Sequence, residues 1–271
     1  MTLVSTDWLY KNLDKVKIID ASWHLVKNRN AVEEYDKEHI KNAIFFDLDK
    51  NSNQKKTLAH SHFLPSIKDH GETLSKMGIL NNDRIIIYCN SDLISSCRAW
   101  FQFLYFGHKP NLVSVLNGGM KKWKLEKKEL TKIKTKIIPS KYLASENRNM
   151  IKVKSQINEN IIKKKFQVLD ARSKNRFLGT EPEPRPSIKS GSIEGSKSLP
   201  LSELINTKDN TFLNKKKLKE LFNLKGISNK EVVMSCGSSV SASSLALAYS
   251  LINDDYMAKI YIGSWTEYGK K

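Results

Sequence analysis

A chain of 271 residues with 39% hydrophobic and 27% charged side chains is too apolar to be disordered and too long for one small core, which points to two domains of ordinary size. Its net charge of +18 raises nucleic-acid binding, but only seven of the 46 basic residues are arginine, the lysines are scattered and no basic motif is interleaved with aromatics, so the charge reads as a solvated surface without a specific nucleic-acid site. No stretch of about 18 apolar residues crosses a membrane, no charged start and apolar run marks a signal peptide, and three cysteines without paired spacing exclude a disulfide or zinc framework and fit a reducing compartment, here expected to be the cytoplasm.

Taken in order, the elements are written twice, offset by about 150 residues. An amphipathic stretch around Trp8 to Leu13 leads to an apolar strand, Val16 to Ile19, ending in Asp20. A turn follows at Glu38 to Ala43. A β-branched run, Arg84 to Tyr88, ends on Cys89 and enters a helical stretch. The last strand, Leu112 to Leu116, is followed by Gly118, Gly119 and Trp123. From about Glu126 to Lys154 the chain is polar and lysine-rich, with Pro139 and little periodicity, and reads as an exposed linker. The plan then recurs: Ile157 to Ile162, the strand Phe166 to Leu169 ending in Asp170, and a turn at Gly191 to Ser196. It continues with Glu231 to Ser235 ending on Cys236, a helical stretch, and Ile260 to Ile262 with Gly263, Trp265 and Tyr268. Strands alternating with helices predict an α/β chain of two domains, each a parallel sheet flanked by helices. The boundaries expected are residues 1–128, a linker over 129–152, and 153–271.

Ligands of open α/β sheets bind beyond the carboxyl ends of the strands, where both Cys89 and Cys236 fall. After Cys236 come Gly237, Ser238, Ser239, Val240, Ser241 and Ala242, then a helix with apolar Leu245, Ala248 and Leu251. Small side chains let successive N–H groups turn inward as an anion nest, and the helix start adds partial positive charge; both favour a thiolate or a persulfide anion. Cys89 is followed instead by Asn90, Ser91, Asp92, Leu93 and Ile94, an acidic and bulky loop that disfavours an anion, so Cys89 reads as structural and Cys97 as core. Arg172, Arg176 and Arg185 fall close together in a chain that otherwise prefers lysine. A planar fork suits a carboxylate. Arg172, directly after the strand, is expected to pair with Asp170, Glu181 or Glu183; for Arg176 and Arg185, pairing and substrate binding stand level.

The repeated plan, the loop Cys236-Gly237-Ser238-Ser239-Val240-Ser241-Ala242 and the run Gly179-Thr180-Glu181-Pro182-Glu183-Pro184-Arg185 resemble the tandem-rhodanese sulfurtransferases, most of all their 3-mercaptopyruvate branch. Phe45 to Asp49 and Gly263-Ser264-Trp265 extend the resemblance over nearly the whole chain. It implies an inactive first domain and a second domain whose Cys236 becomes a persulfide. It also implies that Arg176 and Arg185 bind the substrate carboxylate and keto oxygen, with Gly237, Ser239, Val240 and Ser241 lining the substrate. Ser238, His62 and Asp49 match a proton relay, with His60 competing for the histidine place. Thiosulfate-preferring relatives carry two basic residues after the cysteine, where Gly237 and Ser238 stand here, so thiosulfate is the second substrate considered. Ser239 replaces the usual glycine, at a place that favours positive φ, and Ser241 replaces threonine.

The implied reaction moves the sulfur of 3-mercaptopyruvate through the Cys236 persulfide to a thiol such as thioredoxin, or to cyanide, releasing pyruvate and needing neither metal nor organic cofactor. A non-catalytic persulfide carrier is the alternative. A cysteine phosphatase needs arginine six residues after its nucleophile, and that position is Ala242.

Overall fold

The computed structural model describes residues 2–25, 28–54, 62–227 and 231–271. They fall into two units. Unit 1 comprises Met1–Gln54, Leu64–Asn147 and Thr207–Thr211; unit 2 comprises Lys55–Phe63, Arg148–Asn206 and Phe212–Lys271.

In unit 1, aliphatic runs too short and β-branched for helices become parallel strands covered on both faces. Its elements are β1 (Leu3–Val4), α1 (Thr6–Tyr10), β2 (Lys17–Asp20), α2 (Ala31–Lys37), β3 (Ala43–Phe45), α3 (Ile67–Lys76), β4 (Ile85–Tyr88), α4 (Ser96–Tyr105), β5 (Val113–Leu116) and α5 (Gly119–Leu125). The strand order is β1-β5-β4-β2-β3, with Ile19 opposite both Ile87 and Ile44. Every residue of β4 is buried, as a central strand between helices requires. Side-chain caps start the helices where the sequence supplies them: Ser5 for α1, Asn30 for α2 and Ser66 for α3.

Unit 2 repeats the plan with β6 (Ile151–Lys152), α6 (Lys154–Lys163), β7 (Phe166–Asp170), α7 (Lys174–Leu178), β8 (Lys197–Ser198), the short strands β9 (Ile205–Asn206) and β10 (Thr211–Phe212), α8 (Lys215–Leu224), β11 (Glu231–Ser235), α9 (Val240–Ser250), β12 (Ile260–Tyr261) and α10 (Ser264–Tyr268). Its sheet order, β6-β12-β11-β7-β8, is that of unit 1, and the expected α/β parallel sheets are present in both. Helix α9 is buried from Val240 to Ala248 on every side, beyond the stripe the sequence led one to expect. Its serines are small enough to pack like alanine, and Ser243 returns its hydroxyl to the Ser239 carbonyl at 2.9 Å.

Residues 126–147 carry little regular structure but run along unit 1, hydrogen-bonded to it throughout. Thr131 and His39 exchange backbone bonds at 2.8 Å, Ser140 N donates to Ser75 O at 2.9 Å and Asn147 N to Tyr105 O at 2.8 Å. Tyr142 is buried. Beyond this strap, Ile151–Lys152 already form a strand of the second sheet. The expected linker over 129–152 is therefore fixed to unit 1 along most of its length and ends inside unit 2. Unit 1 also includes a short later piece: Lys121 Nζ donates to Thr207 O at 2.6 Å, and Lys122 lies 3.9 Å from Asp209.

His70 of α3 is fully buried, stacked on Phe106 at 4.1 Å and 3.2 Å from Gln102 Nε2. Burial, aided by the nearby His108 charge, pushes its pKa down to about 3. Burial lowers His108 too, against the opposing Asp83 carbonyl. Both folded-state values lie below an unfolded value of about 6.5. The stability these neutral rings contribute is complete above that value and is lost as pH falls toward the folded pKa. Unfolding free energies from urea titrations between pH 7 and pH 4 should fall by up to about 1.4 kcal/mol per pH unit for His70 alone, and His70→Leu should flatten that fall; equal slopes in the two proteins would refute the assignment.

Candidate active site

Strand β11 delivers Cys236 to the carboxyl edge of the second sheet. Adjacent β12 ends in a turn that brings α10 alongside. Trp265 N donates to Cys236 O at 2.8 Å and Thr266 N to Gly237 O at 2.9 Å. Ser264 stands at φ +47°, its hydroxyl receiving Cys236 N at 3.3 Å and Ser239 N at 3.2 Å while donating to Tyr261 O at 2.9 Å. One buried oxygen thus ties both ends of the cysteine loop. Cys236 is 1% exposed, and α9 starts four residues beyond it, so the helix's unpaired first-turn N–H groups lie directly behind the loop. A sulfur carrying negative charge would meet partial positive charge there.

Three arginines converge, and carboxylates position two of them. Arg172 is buried between Asp170, at 2.8 Å, and Glu183, at 2.7 Å, with its guanidinium 4.6 Å from the Trp265 ring. Burial alone would lower its pKa; the two carboxylates more than offset that and hold it above its ordinary value. Arg176 also engages Glu183, Nη2 to Oε2 at 2.6 Å. Arg185 Nη1 donates to Thr266 Oγ1 at 2.9 Å, and its Nη2 lies 3.5 Å from Ser238 Oγ. Both outer guanidinia reach Gly237: a Cβ there would stand 3.2 Å from Arg176 Nη2 and 3.7 Å from Arg185 Nη1. The absence of a side chain lets two planar cations close over the residue next to the thiol. Arg172 is paired as expected, and Arg176 turns out to pair with a carboxylate while also facing the loop.

His62 belongs to unit 2 and is buried, its Nδ1 3.1 Å from Ser238 Oγ. Asp49 belongs to unit 1, where its Oδ1 accepts from Trp23 Nε1 at 3.0 Å. His60 lies outside the described residues. Ser239 adopts φ +61°, the left-handed backbone its glycine-like place demands. That backbone turns its amide to Ser264, and its hydroxyl donates to Ser238 O at 2.7 Å. With its amide on Ser264 and its hydroxyl on the Ser238 carbonyl, Ser239 shapes the cradle around the cysteine. Val240 and Ser241 are buried at the helix start.

Unit 1 shows what the same topology does without this chemistry. Met120 N donates to Cys89 O at 3.0 Å, as Trp265 N does to Cys236 O, which makes Gly119, at φ +52°, the counterpart of Ser264. A Cβ at Gly119 would stand 2.6 Å from Cys89 O, so no hydroxyl can be placed there. Ser22 occupies the place of Arg172, bonded to Asp20. Helix α4 begins seven residues after Cys89, behind a longer loop. Burial pushes the Cys89 thiol up, against weaker opposing bonds to Ser96 and Ser91, and its Sγ lies 3.3 Å from Ser96 Oγ.

Ser264 and Thr266 escaped the sequence reading as site residues. The signal available was topological: in a parallel sheet, residues after the neighbouring strand fall beside those after the nucleophile strand. Ser264→Ala keeps the backbone angle's cost and removes only the hydroxyl. It should lower unfolding free energy by about 1–3 kcal/mol, because two buried N–H groups lose their acceptor; an unchanged urea midpoint would refute the clamp.

Comparison with known proteins agrees with this architecture. The rhodanese-like domain family matches residues 5–126 and 153–271. The chain is 34% identical over 277 residues to 3-mercaptopyruvate sulfurtransferase of Homo sapiens, covering 98% of this chain and 91% of that protein. It is 35% identical over 291 residues to thiosulfate/3-mercaptopyruvate sulfurtransferase 1, mitochondrial, of Arabidopsis thaliana, covering 98% and 75%. The crystal structure of SseA from Escherichia coli, described among 3-mercaptopyruvate sulfotransferases, superposes with a TM-score of 0.84 at 27% identity, covering 98% of this chain and 99% of that one.

Proposed function

Since the chain belongs to the rhodanese family, with one rhodanese-like domain in each half, we propose that it is a sulfurtransferase that takes the sulfur of 3-mercaptopyruvate onto Cys236 and releases pyruvate. The observation that carries this reading is the closure of Arg176 and Arg185 over the bare Cα of Gly237, beside a thiol held at a helix start. Two guanidinia there match a 2-keto acid, one for the carboxylate and one for the ketone. A Cβ at 237 would press on Arg176 Nη2 and touch Arg185 Nη1, and a basic side chain there would add a further cation.

The Cys236 thiolate attacks the sulfur of the substrate. A sulfur–sulfur bond forms, the carbon–sulfur bond breaks, and its electron pair remains on carbon as the pyruvate enolate. Arg176 and Arg185 hold the carboxylate and the ketone of the substrate in place for this step, and a proton completes pyruvate. Ser238, 3.1 Å from His62 Nδ1, is placed to pass the proton to or from that imidazole. The persulfide is stabilised by the first-turn amides of α9 and by the loop that Ser264 fixes. A thiol acceptor such as thioredoxin, or cyanide, then attacks the outer sulfur, and the Cys236 thiolate returns. No metal or organic cofactor enters the scheme. Unit 1, with its raised Cys89 thiol, serves as the inactive partner domain. Among the described residues no helix is long and apolar enough to cross a membrane. A cytoplasmic location is part of the proposal, which cell fractionation would test, a mitochondrial signal overturning it.

Pyruvate release from 3-mercaptopyruvate with a reducing thiol, measured beside thiocyanate formation from thiosulfate and cyanide, tests the reading directly. Mercaptopyruvate should be the better substrate. A preference for thiosulfate would keep Cys236 and overturn the substrate, and activity with neither would leave a persulfide carrier. Cys236→Ser should abolish pyruvate release, and Arg185→Lys should raise KM by about 10- to 100-fold through loss of the planar fork.

A further inference from the structure

Thr266 lies on α10, outside the cysteine loop and outside the arginine segment, yet it touches both. Its hydroxyl donates to Gly237 O at 2.6 Å and accepts from Arg185 Nη1 at 2.9 Å. It is 2% exposed, so water does not substitute easily for either bond. The directions are mutually consistent: a hydroxyl has one hydrogen, spent on the carbonyl, and lone pairs left for the guanidinium. The backbone of the same residue makes a separate bond, Thr266 N to Gly237 O at 2.9 Å, which holds α10 against the loop whatever the side chain. The hydroxyl therefore has a distinct task. In unit 1, the place that follows Met120 as Thr266 follows Trp265 is Lys121, which turns away to Thr207 O.

We propose that Thr266 is a positioning residue that sets Arg185 at its working distance from the Cys236 loop and thereby determines how tightly the substrate carboxylate is held. This inference rests on the proposed mercaptopyruvate reading of the same site. Arg185 carries a planar fork on a long side chain, and the bond from Nη1 to Thr266 fixes the direction in which that fork points. The second half of the reaction, attack on the persulfide by an acceptor, involves no substrate carboxylate. Thr266 should therefore act on the loading of sulfur and leave its discharge alone.

The test is Thr266→Val, which matches threonine in shape and keeps the backbone bond, beside Thr266→Ser, which restores the hydroxyl. In the valine protein, KM for 3-mercaptopyruvate should rise about tenfold with kcat within about twofold. Discharge of pre-formed persulfide to cyanide should match wild type, and the serine protein should recover the wild-type KM. Pyruvate binding, followed by calorimetry without turnover, should weaken by a similar factor in the valine protein alone. An unchanged KM and pyruvate affinity in Thr266→Val would overturn the assignment, as would slowed discharge or a serine protein as impaired as valine. A wild type that binds pyruvate but does not release it from mercaptopyruvate, with binding weakened in Thr266→Val, would overturn the proposed reaction and uphold the positioning role.

Discussion

The hydroxyl of Ser264 is the point on which the site depends. Two amides three positions apart in one turn of chain, those of Cys236 and Ser239, end on it, and it donates to the Tyr261 carbonyl behind. To stand there, the residue accepts a left-handed backbone that costs a non-glycine side chain roughly 1–2 kcal/mol. Ser239 does the same across the loop. Two strained serines facing one another produce a tight cradle in which the remaining N–H groups are left for sulfur. Without the neighbouring β12, which places α10 beside the end of β11, neither serine would have its partner.

Around that cradle the charges are arranged in tiers. Arg172 is sealed by Asp170 and Glu183 and serves as a fixed post. Glu183 passes its second oxygen to Arg176, so the carboxylate joins a buried cation to one that faces the loop. Arg185 is held by a neutral hydroxyl.

Much of this was legible in the residues. The duplicated strands, the two cysteines at strand ends and the contrast between their loops follow from periodicity and side-chain size alone. The pairing of Arg172 with acids was readable from its place directly after a strand. The roles of Ser264 and Thr266 were not, because they depend on which strand lies next to β11, and chain order does not state that. Ser239 was singled out for its backbone, correctly, but its amide and hydroxyl point to protein atoms that only a folded loop brings near. The lysine-rich segment after Glu126 looked like a tether since it has no periodicity; it is a strap because its backbone, rather than its side chains, supplies most of the bonds.

That strap, and the short piece at Thr207–Thr211, carry a consequence for how the protein is made. A chain leaves the ribosome from its first residue onward, and domains ordinarily close in that order. Unit 1 cannot do so completely. Its sheet is finished at Leu116, yet Lys121 and Lys122 wait for Thr207 and Asp209, which emerge after most of the second repeat's first strands. Translation therefore leaves this edge of unit 1 without its last contacts until residues 207–211 have emerged.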